Sequence, residues 1–296
     1  MSSKRVLVTG LAGFTGHYLA LELAAAGYEV HGLGSRGAAI PNYHQVDLTD
    51  TEGLRRIIST VQPEVVIHLA AISFVGHDDP EAFYRVNVVG TRDLLAALAD
   101  TAKNLDCILL ASSANVYGNS NSGVIGEEQP PNPENDYAVS KLAMEYMARL
   151  WERRLPIVIV RPFNYTGVGQ TEKFLLPKIV GHFRRKAKHI ELGNLDVWRD
   201  FSDVRAVAAA YLGLVKAKPI GQVFNVCSGQ ATSLREAISL VEEIAGYKIE
   251  VVVNPAYVRP NEVRTLTGSA DRLRAVLPNW TMPPLRETLA WMYEAP

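Results

Sequence analysis

The stretch "TGLAGFTGHYLA" (residues 9–20) carries Gly10, Gly13 and Gly16 at three-residue intervals, directly after the apolar run "RVLVT" (5–9). Glycines between a buried strand and a helix let the chain turn tightly and let its backbone approach a pyrophosphate, whose negative charge the helix N-terminus then meets. A turn without a ligand is the competing interpretation of any isolated string of glycines. The position of residues 9–20 between a predicted strand and a predicted helix favours the binding of a dinucleotide.

The rest of the N-terminal half alternates short apolar runs with longer amphipathic segments. The runs are apolar on both faces, which is typical of strands covered by helices on both sides. Predicted strands occupy 5–9, 28–33, 65–70, 107–112 and 156–161, and predicted helices occupy 14–26, 51–60, 80–102 and 135–154. This order predicts an α/β fold with a Rossmann-type doubly wound parallel sheet.

The pattern becomes less regular after residue 165. Helices are predicted near 173–187 and 203–217, a strand at 222–226 and a further helix from about Ser233, followed by Pro-rich loops. No low-complexity linker sets this part apart, so we expect a smaller α/β lobe folded against the first domain. The predicted division is a Rossmann domain over 1–165 and a substrate-binding lobe over 166–296, with some segments of the latter returning to the Rossmann domain.

The composition is that of a globular protein without a strong overall charge. The chain has 296 residues, of which 48% are hydrophobic and 21% charged, and a net charge of −1, which offers no field to attract nucleic acid or an acidic membrane. Cys107 and Cys227 lie in apolar runs, which indicates reduced thiols in the core, and no metal site is expected. No apolar run approaches the roughly 20 residues that a membrane span requires, so we expect a cytoplasmic protein.

The segment "GLGSRGA" (32–38) follows the second predicted strand and bears on the choice of dinucleotide. It lacks the acidic residue that would bind an adenosine ribose, and instead offers Ser35 and Arg36, a hydroxyl and a cation suited to a 2′-phosphate. Unless Arg36 is simply a solvated loop residue, NADP(H) is preferred, with NAD(H) possible. Asp47 is placed to bind an adenine, and a helix N-cap at Asp50 is the competing use of this acidic pair.

Tyr137 and Lys141 have the i, i+4 spacing that places two side chains on one face of a helix. A tyrosine hydroxyl transfers protons near neutral pH only if its pKa falls well below about 10, and a neighbouring ammonium has that effect. A surface pair without function is the competing interpretation.

Five segments in this order, "TGLAGFTG" (9–16), "DLTD" (47–50), "HLAA" (68–71), "SSANVYG" (112–118) and "YAVSK" (137–141), resemble the extended short-chain dehydrogenase/reductase family, whose members act on nucleotide sugars. The resemblance continues through "RPFNYTGVGQ" (161–170), "RDFSDV" (199–204) and "RPNEV" (259–263) and so covers the whole chain. It implies a catalytic triad of Ser113, Tyr137 and Lys141.

The resemblance also implies two sets of contacts. The residues expected to bind the cofactor are Gly10, Gly13, Phe14, Thr15, Gly16, Ser35, Arg36, Asp47, Leu48, Leu69, Ala70, Ala71, Tyr137 and Lys141. Those expected to bind a nucleotide-diphosphate sugar, with GDP as the favoured nucleotide, are Ser112, Asn115, Asn164, Lys178, Arg199, Arg259 and Glu262. In this family the helices at 80–102 and 135–154 commonly pair across a homodimer, which is therefore expected here.

Ala114 and Asn115 occupy the positions where the dehydratase branch of this family carries one or two carboxylates after its catalytic hydroxyl. Neither side chain can act as the acid or base that dehydration requires, which leaves ketone reduction, alcohol oxidation or C4 epimerisation. The later segments most resemble the branch of GDP-6-deoxy-D-lyxo-4-hexulose reductases, which form GDP-D-rhamnose, although Ala206 replaces an aspartate common in relatives. A nucleotide-sugar 4-epimerase and, more remotely, a non-enzymatic NADP(H) sensor are the alternatives.

Overall fold

The computed structural model describes residues 3–73, 79–119, 123–258 and 264–296. The strands are β1 (Arg5–Thr9), β2 (Glu29–Gly34), β3 (Tyr43–Gln45), β4 (Val65–His68), β5 (Cys107–Ala111), β6 (Val124–Ile125), β7 (Ile157–Pro162), β8 (Asn164–Thr166), β9 (His189–Leu192), β10 (Trp198–Asp203), β11 (Val223–Val226), β12 (Ala231–Ser233), β13 (Glu250–Val253) and β14 (Thr265–Gly268). The helices are α1 (Phe14–Ala25), α2 (Thr51–Val61), α3 (Pro80–Phe83), α4 (Thr91–Thr101), α5 (Asp136–Arg149), α6 (Leu175–Arg184), α7 (Val204–Ala217), α8 (Leu234–Ala245), α9 (Asp271–Val276) and α10 (Leu285–Glu294).

A seven-stranded parallel sheet in the order β11-β7-β5-β4-β1-β2-β3 confirms the predicted fold class. Successive residues of β1 serve opposite cores: Val8 packs in a cluster with Leu19 of α1 and residues of α7, whereas Leu7 packs in a cluster with Ile58 of α2 and Leu94 of α4. Since helices cover both faces, nearly every position of the central strands is buried, which explains the continuous apolar runs. The strand order reverses at β1, and ligands of such sheets bind beside that point.

The C-terminal part builds a second set of sheets. Strand β10 pairs with β8, β12 and β14, β14 also pairs with β6, and β9 pairs with β13. A separate core around Val180, Ile190, Val241 and Leu289 joins α6, α8 and α10 to these strands. By contrast, β11 belongs to the large sheet and α7 packs on it against α1. The division at residue 165 stays a prediction from the sequence.

Two predicted helices differ from the observed ones in detail. The segment predicted as one helix over 80–102 consists of α3, a π-helical stretch at Tyr84–Gly90 and α4. The π-helical stretch contains the buried Asn87, whose side chain bonds to the backbone of Ile72. The helix predicted over 135–154 ends at Arg149, after which the chain continues in turns. Among the described residues, no helix combines the length and apolar character needed to cross a membrane.

Candidate active site

A cavity of about 770 Å³ opens at the carboxyl ends of the central strands and extends between the sheet and the second lobe. All of the predicted cofactor residues line it: Gly10, Gly13, Phe14, Thr15, Gly16, Ser35, Arg36, Asp47, Leu48, Leu69, Ala70, Ala71, Tyr137 and Lys141. Ser113 and three of the predicted substrate residues, Ser112, Asn115 and Asn164, line it as well. The fold thus gathers many separate segments of the chain around one space.

The glycine-rich loop enters the cavity between β1 and α1. Gly10 has φ +74°, and a Cβ there would lie 2.9 Å from the backbone nitrogen of Ala70. A Cβ at Gly16 would collide with the carbonyl oxygens of Gly10 and Leu11, so glycine allows the helix to start this close to the strand. Gly13 is the N-cap residue and has no side chain to satisfy the first amides of α1. Those amides can therefore receive an anion such as a pyrophosphate.

Ser35 and Arg36 line the cavity just beyond the end of β2. Asp47 also lines it, and its carboxylate accepts hydrogen bonds from the Thr49 amide (2.9 Å) and hydroxyl (2.7 Å), which lower the pKa of the carboxyl. Asp50 is the N-cap of α2 and accepts from Gly53 N at 2.9 Å. Asp50 therefore takes the structural role, while the adenine contact of Asp47 stays a prediction.

The predicted triad comes together where α5 crosses the end of β5. Tyr137 and Lys141 are 7% and 3% exposed, and Ser113 is 5% exposed. Ser113 Oγ accepts a hydrogen bond from Asn115 N (3.2 Å), and the Ser113 hydroxyl lies close enough to the Tyr137 phenol to oppose the rise in its pKa. Lys141 Nζ donates to the carbonyl oxygen of Ala111 at 2.7 Å. The i, i+4 spacing thus has the consequence that the sequence predicts: both side chains face the strand end.

The protonation states differ from the sequence-based expectation. Burial raises the pKa of Tyr137 to about 12, with the Ser113 hydrogen bond acting in the opposite direction, although the Tyr–Lys spacing predicts a lowered value. The physical reason is that a buried phenolate loses its hydration, while the Lys141 amine is directed to the Ala111 carbonyl. Burial lowers the pKa of Lys141 to about 8, and the charge of Glu145 opposes this shift. At neutral pH the Tyr137 phenol is consequently a proton donor.

A buried ion pair behind the triad was not predicted from the sequence. Arg161 donates to both carboxylate oxygens of Glu145, through Nε (2.9 Å) and Nη2 (2.6 Å), and Ser112 Oγ donates to Glu145 Oε1 (2.5 Å). Arg161 Nη1 donates to the Tyr117 hydroxyl (2.9 Å), which donates to Asn225 Oδ1 (2.8 Å). The one signal in the sequence is that Glu145 follows Lys141 by four residues and so shares its helix face. Ser112, predicted to contact substrate, lines the cavity but directs its hydroxyl to Glu145.

His68, from the "HLAA" segment, joins the sheet to the helices below the cavity. Its Nδ1 is hydrogen-bonded to Thr9 Oγ1 at 2.7 Å and its Nε2 to Thr91 Oγ1 at 2.8 Å. Burial lowers the pKa of His68 to about 3. Thr91 donates its own proton to the Asn87 carbonyl (2.8 Å), so it accepts from Nε2–H of a neutral imidazole. Asn87 Nδ2 continues the chain to Ser140 of α5 (3.0 Å). These bonds hold the helix that carries Tyr137 and Lys141.

Tyr165 also lines the cavity and was missed by the sequence analysis. Its hydroxyl lies 2.8 Å from Thr15 Oγ1, and its ring stacks on Phe14 with centroids 6.2 Å apart. It thereby connects β8 with the first turn of α1. Tyr43 from β3 lines the opposite, nucleotide end beside Ser35 and Arg36.

Two of the predicted phosphate-binding cations lie outside the cavity lining. Lys178 Nζ donates to Glu191 O (2.7 Å) and lies 4.5 Å from the ring centroid of Tyr257. Arg199 Nη1 donates to the carbonyls of Trp198 (2.9 Å) and Arg264 (3.1 Å). The sugar-diphosphate contacts predicted for Lys178 and Arg199 stay predictions. Arg259 and Glu262 lie outside the described residues.

The cavity is poor in acidic groups near the triad. Among the described residues that line it, Asp47 at the nucleotide end is the sole carboxylate. Ala114, 1% exposed, and Asn115 begin the short 3₁₀ helix that follows Ser113. The site is therefore equipped to move a hydride and one proton, and its described residues place no carboxylate beside the triad for expelling water.

Comparisons with known proteins agree with this geometry. A family model described as GDP-mannose 4,6 dehydratase matches residues 7–283. The GDP-6-deoxy-D-mannose reductase of Pseudomonas aeruginosa is 37% identical over 282 residues, which cover 92% of this chain and 90% of that protein. The structure of RMD from Pseudomonas aeruginosa complexed with NADPH has a TM-score of 0.86 and 34% identity, over 98% of this chain and 96% of that chain.

A crystal structure from Burkholderia cenocepacia J2315, named as a candidate epimerase, is 53% identical with a TM-score of 0.93, over 99% of this chain and 98% of that chain. The resemblance inferred from the motifs is thereby confirmed. The chain belongs to the GDP-mannose 4,6-dehydratase family of extended short-chain dehydrogenases/reductases.

Proposed function

We propose that this protein is an NADPH-dependent reductase that converts the C4 ketone of a GDP-4-keto-6-deoxy-hexose into the alcohol of GDP-D-rhamnose. The observation that carries the proposal is the composition of one cavity: a dinucleotide-binding loop, a buried Ser113–Tyr137–Lys141 triad, and Ala114 and Asn115 where a dehydratase needs carboxylates. The likeness to the Pseudomonas aeruginosa GDP-6-deoxy-D-mannose reductase supports the choice of reaction and of nucleotide.

The reaction assigns one task to each member of the triad. A bound reduced nicotinamide supplies the hydride that reduces the sugar carbon. Tyr137 protonates the alkoxide oxygen that develops on that carbon, and Ser113, whose hydroxyl lies near the phenol, orients the same oxygen. Lys141, as an ammonium held by the Ala111 carbonyl, stabilises the phenolate left behind.

The state of Tyr137 favours reduction as the starting reaction. A phenol with a pKa of about 12 is protonated at neutral pH, as a reductase requires before it meets a ketone. Oxidation of an alcohol would instead require the phenolate first, at a free-energy cost that grows with the distance between the pKa and the pH. Ser35 and Arg36, together with the NADPH complex of the Pseudomonas aeruginosa structure, support NADP(H) over NAD(H).

The second candidate is a nucleotide-sugar 4-epimerase, which the name given to the Burkholderia cenocepacia structure favours. An epimerase keeps its cofactor bound and returns each hydride to the sugar, so it shows no net oxidation of NADPH. Both candidate functions use the same triad, and they differ in whether NADPH is consumed as the sugar reacts.

We also propose that the protein acts as a homodimer in the cytoplasm. Support for the dimer comes from α5 and the turn after it, which expose three apolar or aromatic side chains: Val139 is 37%, Tyr146 56% and Leu150 81% exposed. Sedimentation analysis of the purified protein tests the oligomeric state.

The deciding experiment mixes purified protein with NADPH and, separately, GDP-, dTDP- and UDP-linked 4-keto-6-deoxy sugars. Loss of the reduced-nicotinamide absorbance with the GDP sugar supports the proposal, and NMR of the product distinguishes GDP-D-rhamnose from its C4 epimer. Interconversion of nucleotide sugars without consumption of NADPH would establish the epimerase instead.

A further inference from the structure

Three consecutive residues at and just after the end of β5 each interact with α5. Ala111 accepts a hydrogen bond from Lys141 Nζ (2.7 Å), Ser112 donates one to Glu145 Oε1 (2.5 Å), and the Ser113 hydroxyl lies near the Tyr137 phenol and acts to lower its pKa. Tyr137, Lys141 and Glu145 are spaced by four residues and form one helix face. The strand end therefore meets the helix at three successive residues, and hydrogen bonds join it to Lys141 and Glu145.

At the Ser112–Glu145 contact the Glu145 carboxylate is buried, and it accepts hydrogen bonds from two further donors on Arg161. Glu145 is 1% and Arg161 4% exposed, and the guanidinium meets the carboxylate with two bonds while Ser112 supplies a third. A buried carboxylate is strongly unfavourable unless it is paired and hydrogen-bonded in this way. The reaction as proposed above uses neither Glu145 nor Arg161, which leaves the position of this pair, with Glu145 one helical turn from Lys141, unexplained.

We propose that Glu145, held in place by Arg161, is a positioning residue for the reduction: through Ser112 it fixes the adjacent Ser113 against α5, and its carboxylate places a negative charge one helical turn from Lys141. The inference rests on the proposed function, because the reduction is the reaction whose groups it positions.

The groups that face Lys141 explain why a local negative charge matters. Tyr137 is a neutral phenol, and His68 at the end of β4 is neutral because burial lowers its pKa to about 3. Arg161 on β7 is a cation that forms an ion pair with Glu145, and Tyr165 on β8 is a phenol. Burial lowers the pKa of Lys141 to about 8, and the Glu145 charge raises it. Without that carboxylate, Lys141 would release its proton at a lower pH.

The test separates charge from hydrogen bonding with two variants. Glu145→Gln keeps the shape and an oxygen for Ser112 but removes the charge, and we expect the alkaline limb of kcat/KM for NADPH to move down by about 1 to 2 pH units, as for one nearby charge. Ser112→Ala removes the hydrogen bond to Glu145 and keeps the charges of Glu145 and Arg161. We expect kcat to fall about 5- to 10-fold while the alkaline limb of kcat/KM stays at the same pH. If Glu145→Gln does not fold, Glu145→Gln with Arg161→Met leaves no unpaired charge and should show a smaller shift in the same direction.

Asp203→Asn is the matched control for a merely structural effect. Asp203 is a buried carboxylate that is paired with Arg205 and bonded to Thr288, and it does not line the cavity. This variant should lower the melting temperature of the protein without moving the alkaline limb of kcat/KM for NADPH. A Glu145→Gln variant that behaves in the same way would overturn the charge role, and an unchanged kcat in Ser112→Ala would overturn the role in fixing Ser113.

A measurement without sugar separates failure of this inference from failure of the proposed function. Binding of NADPH alone, followed by nicotinamide fluorescence from pH 6 to pH 10, should weaken at a lower pH in Glu145→Gln than in wild type, since Lys141 is predicted to contact the cofactor. If wild type reduces no 4-keto sugar, the proposed function fails while this shift still tests Glu145. Identical binding profiles in the two proteins would reject the inference itself.

Discussion

Lys141 Nζ donates a hydrogen bond to the backbone oxygen of Ala111 at 2.7 Å, so the lysine of the triad is bound to the last residue of β5, two residues before Ser113. The contact orients the amine toward the cavity wall in a setting where only 3% of the residue is exposed. Its charge is therefore fixed in place before the reaction, as electrostatic stabilisation of a developing phenolate requires.

Tyr137→Phe should reduce kcat by about 100-fold or more while leaving the affinity for NADPH nearly unchanged. The substitution removes only the hydroxyl that protonates the alkoxide, and general acid catalysis is typically worth 10²- to 10⁴-fold, roughly. Steady-state rates and a fluorescence titration of NADPH give the two quantities. Near-full activity in this variant would exclude Tyr137 as the proton donor.

The pH dependence should report Lys141 rather than Tyr137. Since the pKa of Lys141 lies at about 8 and that of Tyr137 at about 12, the ammonium is lost first as the pH rises, and kcat/KM for NADPH should fall above about pH 8. Lys141→Arg keeps a charge at all accessible pH values, so its residual activity should lack this limb. A limb near pH 8 that survives in Lys141→Arg would assign it to another group.

Arg36→Ala should weaken NADPH binding and leave NADH binding nearly unchanged. Arg36 lines the nucleotide end of the cavity beside Ser35, and loss of a charge-assisted hydrogen bond to a 2′-phosphate is worth about 1 to 3 kcal/mol. Titration of both cofactors into wild type and variant provides the measurement. Arg56→Ala, an exposed arginine on α2 that does not line the cavity, is the matched control. Equal losses of affinity for the two cofactors would show that Arg36 does not bind the 2′-phosphate.

The sequence predicts the parts of the fold that depend on local patterns. Glycines at 10, 13 and 16 and strands apolar on both faces mark the first β–α unit and the parallel sheet, and the Tyr137–Lys141 spacing places both side chains on one helix face. The family resemblance adds Ser113, which the structure brings to the same cavity.

What the sequence does not reveal depends on contacts between distant segments. Strand β6 at 124–125 finds its partner β14 at 265–268, and neither run is long enough to show a period. Glu145 and Arg161 look like surface charges until the fold buries them together. The pKa of Tyr137 could not be derived either, because burial outweighs the neighbouring groups and burial is a property of the folded chain.

The last prediction concerns the reaction that this site should fail to catalyse. Given GDP-mannose and oxidised cofactor, the protein should form no 4-keto-6-deoxy sugar, because Ala114 and Asn115 follow Ser113 and, among the described residues, the cavity offers no carboxylate beyond Asp47 at its far end. Given the 4-keto-6-deoxy product of a separate dehydratase, it should consume about one NADPH per sugar, since a single hydride completes the reduction. Mass spectrometry of the nucleotide sugars and the absorbance of NADPH measure both outcomes in one reaction series. Release of water from GDP-mannose by the pure protein would show that the missing carboxylate is supplied from elsewhere in the chain.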